Sequence, residues 1–257
     1  MSKSRIGEIN YNKYGSKMKI VAYRNAKDID VYFEEYDWVF KNGRYGHFKD
    51  GNMRCPYDKS ICGVGYIGEG KYKVWENGKH TKEYDIWNDM IKRCYTNTKI
   101  NIAYKDCEVC EEWHNFQNFA EWYEENYYEI KEEKTQLDKD ILIHGNNIYS
   151  PQTCIFVPSR INALFIKRKR KRGDYPIGIS YHKRDNILEV WCRTIEEDSK
   201  GNYLGRFKPN QVEEAFQCYK TFKENYIKQV ADDYYSKGLI PKKLYDAMYR
   251  YEVEITD

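Results

Sequence analysis

No stretch of this chain approaches the roughly twenty consecutive apolar residues that a membrane span needs, and the opening MSKSRIGEIN lacks the apolar core of a signal peptide. A cytoplasmic protein without membrane association is therefore expected, in the host cytoplasm if the gene is carried by a phage. The glycine patterns of a P-loop or a dinucleotide-binding turn are also missing. No nucleophile, histidine and acid stand at a spacing that would by itself imply a covalent mechanism. Eight cysteines are present, but a cytoplasmic setting keeps thiols reduced, so their even number implies no pairing. Cys55 and Cys62 lack a second pair nearby. Cys107, Cys110 and His114, with the distant Cys94, could supply three thiolates and an imidazole. Cys94 and Cys107 sit beside core aromatics, where a free thiol acts as a small apolar group, so structural zinc is not expected.

Apolar content is low at 41%, but 26 Tyr and 6 Trp offset it by burying large rings with polar edges. A folded chain with wet surfaces fits this composition, whereas disordered chains are poor in aromatics. Net charge is only +3, yet its distribution is uneven. Between Glu108 and Glu133 there are nine Glu and one Lys; between Arg160 and Arg193 there are ten Lys or Arg against three acids. One basic face and a remote acidic face suit a nucleic-acid-binding protein.

Four regions follow along the chain, in an α+β arrangement: residues 1–80 as a small N-terminal β unit, 81–136 as an acidic helical middle, 137–172 as a compact module ending in a basic run, and 173–257 as a sheet-and-helix module with a helical extension. In the first, 19–23 and 29–33 read as strands, the second alternating cleanly. Asn42-Gly43 and Asp50-Gly51 read as turns around a strand at Tyr45–Phe48, in a barrel-like unit. In the second, Tyr84, Trp87, Met90, Ile91, Cys94 and Tyr95 fall on one helical face, and Trp113, Phe116, Phe119, Ala120 and Tyr123 on another.

The third region reads LDKDILIHGNNIYSPQTCIFVPSRINALFIKRKRKRG. Ile141, Ile143, Ile148, Ile155, Phe156 and Val157 supply strand content, and a helix follows from Ser159 with Asn162 in its first turn. Lys167, Arg168, Lys169, Arg170, Lys171 and Arg172 then place six positive charges in succession. Neutralising DNA phosphates with such a run releases condensed counterions, giving affinity without base specificity. In the fourth region three strands are expected, at 175–181, 187–195 and 203–207, then a helix opened by Pro209 with Val212, Ala215, Phe216, Tyr219, Phe222 and Tyr226 on one face. Gly238 ends that helix and Pro241 starts another; the last residues either add a strand edge or stay loose.

These residues resemble the HNH, or ββα-metal, homing-type endonucleases of bacteriophages, in the subset whose nuclease unit precedes an AP2-like DNA-binding module. The resemblance implies a ββα site in which a strand Asp and a helix Asn or His hold a divalent metal. A strand His takes the proton from the attacking water, and a middle Asn orients that His. Asp138 matches the metal-binding Asp and Asn162 the helix ligand. Lys139 stands where the general-base His belongs, and Ser150 where the orienting Asn belongs. Lysine holds its proton at neutral pH unless strongly desolvated, so no catalytic residue is assigned. His144 is a displaced histidine that could serve only if brought within about 3 Å of the nucleophile. Gly178-Ile179-Ser180, Trp191, Leu204-Gly205-x-Phe207 and Glu214-Ala215 match the AP2 signature, which implies a three-stranded sheet plus helix with the helix-free sheet face in the major groove. On that face the candidates are Tyr181, Lys183, Arg184, Thr194 and Arg206. Two-residue periodicity groups Arg193 with Trp191 and Ile195 on the face packing the helix, so either a bulge breaks the alternation or Arg193 snorkels to an edge, and its role is open.

The leading expectation is a double-stranded DNA-binding protein on a degenerate HNH scaffold, without cofactor. Two alternatives stay open: an active nuclease requiring Mg²⁺ or Mn²⁺, and a phage protein that binds a host defence or regulatory protein. Oligomeric state is not read from the sequence.

Overall fold

The computed structural model describes residues 5–96, 104, 106–166, 174–195 and 201–257. It is a mixed α+β architecture of helices and small sheets. Contacts divide it into two units, Met1–Glu125 with Asn147–Pro151, and Asn126–Asn146 with Gln152–Asp257.

The first unit opens with an antiparallel meander of β1 (Ile9–Tyr11), β2 (Lys17–Asn25), β3 (Asp28–Phe33) and β4 (Trp38–Gly43), hydrogen-bonded in that order. Two-residue alternation sends Met18, Ile20, Ile29, Val31 and Phe33 to one face, where they form a core with Phe48, Met53 and Cys55. The sheet is an open meander with β1 and β4 at its edges, not a closed barrel. Tyr45–Lys49 is a short helix, α1, in place of the expected strand. Tyr45 and Phe48 stack at 6.1 Å, and a three-residue spacing meets on a helical turn but falls on opposite faces of a strand. Buried Asp58 takes hydrogen bonds from Asn12 Nδ2 (2.8 Å), Ser16 Oγ (2.6 Å) and the Cys55 N–H (2.7 Å), so its charge is well satisfied inside the unit.

An Asn77-Gly78 turn, both residues at positive φ, joins β5 (Trp75–Glu76) to β6 (Lys79–His80). Helix α2 (Lys82–Tyr95) buries Tyr84, Trp87, Met90 and Ile91, residues spaced by three and four. Strand β7 (Glu108–Val109) pairs in parallel with Ile148–Tyr149. Helix α3 (Phe116–Asn126) buries Phe116, Phe119 and Ala120 and leaves its glutamates in water.

In the second unit β8 (Thr135–Asp138) pairs antiparallel with β10 (Ile155–Pro158), Asp138 opposite Ile155, and α4 (Ser159–Leu164) follows directly. Ile148–Tyr149, β9, lies between them in sequence and belongs to the first unit. Strands β11 (Ile179–His182), β12 (Ile187–Cys192) and β13 (Asn202–Phe207) form an antiparallel sheet in chain order. The 25-residue α5 (Val212–Ser236) serves two cores at once. Its first half packs Ala215, Phe216 and Tyr219 on Leu188, Val190 and Cys192. Its second half packs Ile227, Val230, Ala231 and Tyr234 with Ile155, Val157, Ile161 and Leu164, joined by Leu244 and Met248 of α6 (Lys242–Arg250). Gly178, at φ 81°, lies so close to α5 that an added Cβ would stand 2.1 Å from the Tyr219 ring. The C-terminal residues form no strand; Val253 is buried in the sheet–helix core, with its N–H on Glu224 and its carbonyl on Lys220 Nζ.

Candidate nucleic-acid interface

In an antiparallel sheet, directly opposed residues point to the same side, so the register sorts the C-terminal sheet into two faces. Leu188, Val190 and Cys192 alternate toward α5. On the opposite face Ser180, Glu189 and Arg206 align across the three strands, His182 opposes Ile187, and Trp191 opposes Tyr203. Trp191 is 38% exposed and Tyr203 48%, with ring centroids 5.0 Å apart. The expected placement of Trp191 against the helix is thus corrected. The signal was in the chain, because positions 188, 190 and 192 are the alternating apolar set. Arg193, which alternation alone would group with Trp191, is exposed beyond the strand end. A register shift between Val190 and Trp191 adds local twist there.

Tyr181 is a second correction. It opposes Leu188, its ring packs with the helix-side core, and its hydroxyl donates to Asn186 Oδ1 at 2.9 Å. Lys183 and Arg184 are exposed in the turn between β11 and β12. Thr194 is half-buried past the end of β12. Lys167, Arg168, Lys169, Arg170, Lys171 and Arg172 lie outside the described residues.

At the centre of the open face stands a carboxylate that the sequence reading did not single out. The Glu189 side chain is 10% exposed. Its Oε1 accepts from Arg206 Nε at 3.2 Å, and Oε2 lies 3.1 Å from His182 Nε2 and 3.3 Å from Trp191 Nε1. Arg206 itself is 65% exposed, so one edge of its guanidinium is anchored while the rest meets solvent.

Residues 135–164, strands β8 and β10 followed by α4, are arranged differently from what a hydrolytic centre needs. Asp138 Oδ1 accepts the N–H groups of Asp140 (3.0 Å) and Ile141 (2.8 Å), closing an Asx turn at the end of β8. Burial, reinforced by the charge of Asp140, pushes its carboxyl up to about 6. Asn162 Nδ2 donates to Gln136 Oε1 at 2.8 Å. Lys139 is buried, with Nζ 2.8 Å from the Asn146 carbonyl and 3.2 Å from Asp140 Oδ2. His144 faces Glu254 and Asp257 at 3.8 and 3.7 Å. Ser150 belongs to the first unit, while Asp138, Lys139 and Asn162 belong to the second. With Asp138 Oδ1 taken up by two backbone N–H groups, the Asn162 amide engaged on Gln136 and the Lys139 ammonium beside Asp140, the residues present do not fit a resident divalent cation, which wants free oxygen donors of negative charge.

Cys107 is buried and Cys110 half-buried, where desolvation raises its thiol pKa, and His114 Nε2 lies 3.1 Å from the Val109 carbonyl. Among the described residues no group of three or more His, Cys, Asp or Glu is placed to hold a metal ion. No described helix is long and apolar enough to cross a membrane. No family model, no curated protein and no solved structure matches this chain.

Proposed function

We propose that this chain is a phage-type double-stranded DNA-binding protein. Its C-terminal sheet acts as an AP2-like reading surface, and residues 135–164 are an HNH-like ββα scaffold that has lost hydrolytic chemistry. The observation that carries the reading is the helix-free face of the β11–β13 sheet. It combines exposed Trp191 and Tyr203 with Arg206 and His182, and the turn beside it presents Lys183 and Arg184. A sheet of this width can enter the major groove, where aromatic and basic side chains meet base edges and phosphates. The run at 167–172 adds sequence-independent affinity for the backbone. Loss of hydrolysis is supported by Lys139 in the position of the base and by the prior engagement of Asp138 and Asn162.

The test is a pair of variants titrated with duplex DNA. Lys183→Ala/Arg184→Ala weakens binding to all sequences alike and lowers the salt slope by about two. Tyr181→Phe changes neither. A double variant with wild-type affinity and slope overturns the reading.

A further inference from the structure

The central carboxylate of the open sheet face is unexpected for a surface that meets a polyanion. Left alone, Glu189 would repel phosphates and weaken non-specific binding. Its geometry suggests what offsets that cost. Arg206 and Glu189 are directly opposed across β12 and β13, and the contact engages the Nε edge of the guanidinium. Trp191 and His182 hold the other carboxylate oxygen from the side, so the carboxylate is fixed by three neighbours. A long, exposed arginine is thereby restricted in orientation before any ligand arrives. Restricting a rotamer-rich side chain in advance reduces the entropy lost on binding. An oriented guanidinium fork matches the O6 and N7 acceptors of guanine, whereas a free arginine or lysine settles equally well on phosphate.

We propose that Glu189 is a positioning residue for sequence discrimination: it holds Arg206 so that the protein prefers a G·C pair at one position of its site, at the expense of general phosphate affinity. This rests on the DNA-binding reading above. The ligand chemistry is the major-groove edge of guanine in a duplex.

The experiment is selection of preferred sites from a randomised duplex library by the full chain, then titration of the selected duplex and a scrambled one. Wild type, Glu189→Gln, Glu189→Asp and Arg206→Lys are compared, each shown to be folded by its thermal melt. Wild type is expected to select one invariant guanine and to lose about tenfold in affinity when that pair is changed. Glu189→Gln removes a negative charge, so it binds the scrambled duplex more tightly while the tenfold preference collapses. Glu189→Asp keeps the charge but retracts the carboxylate; its scrambled-duplex affinity stays at the wild-type value and the preference still falls. Arg206→Lys keeps a cation and loses the preference. A purely structural role for Glu189 would not split affinity from selectivity in this way. Unchanged selectivity in both Glu189 variants overturns the inference while leaving DNA binding standing. Absence of duplex binding by wild type overturns both.

Discussion

Lys139 and Asn146 clasp each other. Lys139 Nζ donates to the Asn146 carbonyl at 2.8 Å, and Asn146 Nδ2 donates back to the Lys139 carbonyl at 2.7 Å. The clasp closes the loop that follows β8, and Lys139 is the residue that the proposed HNH-like reading aligns with the general base. Truncating Lys139 leaves the Asn146 carbonyl without the donor it accepts from, and an orphaned part-buried acceptor is costly. Lys139→Ala is therefore expected to lower stability by about 1–3 kcal/mol in urea denaturation. Lys139→His is expected to produce no metal-dependent cleavage, because Asp138 and Asn162 keep their present partners. Cleavage by that variant would show that only the base was missing.

Asp138 ties stability to pH. Its carboxyl is raised to about 6 by burial and by Asp140, so the folded chain holds the proton more tightly than the unfolded chain does. The stabilisation is fully present below about pH 4 and is lost as pH rises through about 6, at most about 3 kcal/mol. Asp138→Asn keeps an oxygen for both N–H groups and cannot ionise. It should gain stability at pH 7 and gain none at pH 4, read from denaturation midpoints across that range. Equal effects at both pH values would contradict the assignment.

Two residues of β12 separate the faces of the sheet. Leu188 is fully buried against α5 and Trp191 lies open to solvent. Leu188→Ala should cost about 2–5 kcal/mol, the usual penalty for a truncated core side chain. Trp191→Phe should stay within about 0.5 kcal/mol of wild type and weaken DNA binding. The reverse order of stabilities would return Trp191 to the helix-packing face.

Lys223 of α5 is buried in the sheet–helix core near Cys192, and desolvation lowers its ammonium pKa. Among the described residues no carboxylate forms an ion pair with it. A base whose folded pKa is depressed gives stability that is present at high pH and lost as pH falls, so the charged form is a liability near neutrality. Lys223→Met should raise the melting temperature at pH 7, and by less above about pH 10.5, where the unfolded ammonium also loses its proton. A drop in melting temperature under both conditions would mean that the ammonium has a favourable partner.

Much of this fold is legible in the chain because the informative residues are neighbours in sequence. Ile29, Val31 and Phe33 alternate within one strand, and Tyr84, Trp87, Met90 and Ile91 repeat within one helix. What was hidden depends on partners far away. Nothing local to Ile148 and Tyr149 says that they pair with Glu108 and Val109. The 25-residue length of α5 is readable, but not that its two halves cover different cores. Trp191 was misplaced because the two-residue register it shares with Arg193 and Ile195 was set inward, whereas the alternate set Leu188, Val190 and Cys192 fills the space under the helix. Glu189 escaped notice because a strand carboxylate looks like solvated charge until Arg206, His182 and Trp191 are seen around it.

The most direct test of the central claim is titration of a labelled duplex with the full chain at two salt concentrations, with and without Mg²⁺ or Mn²⁺, followed by denaturing electrophoresis. Binding that weakens steeply at higher salt, with both strands intact in every lane, is the predicted result. Metal-dependent strand breaks, or no binding even at low salt, would contradict it.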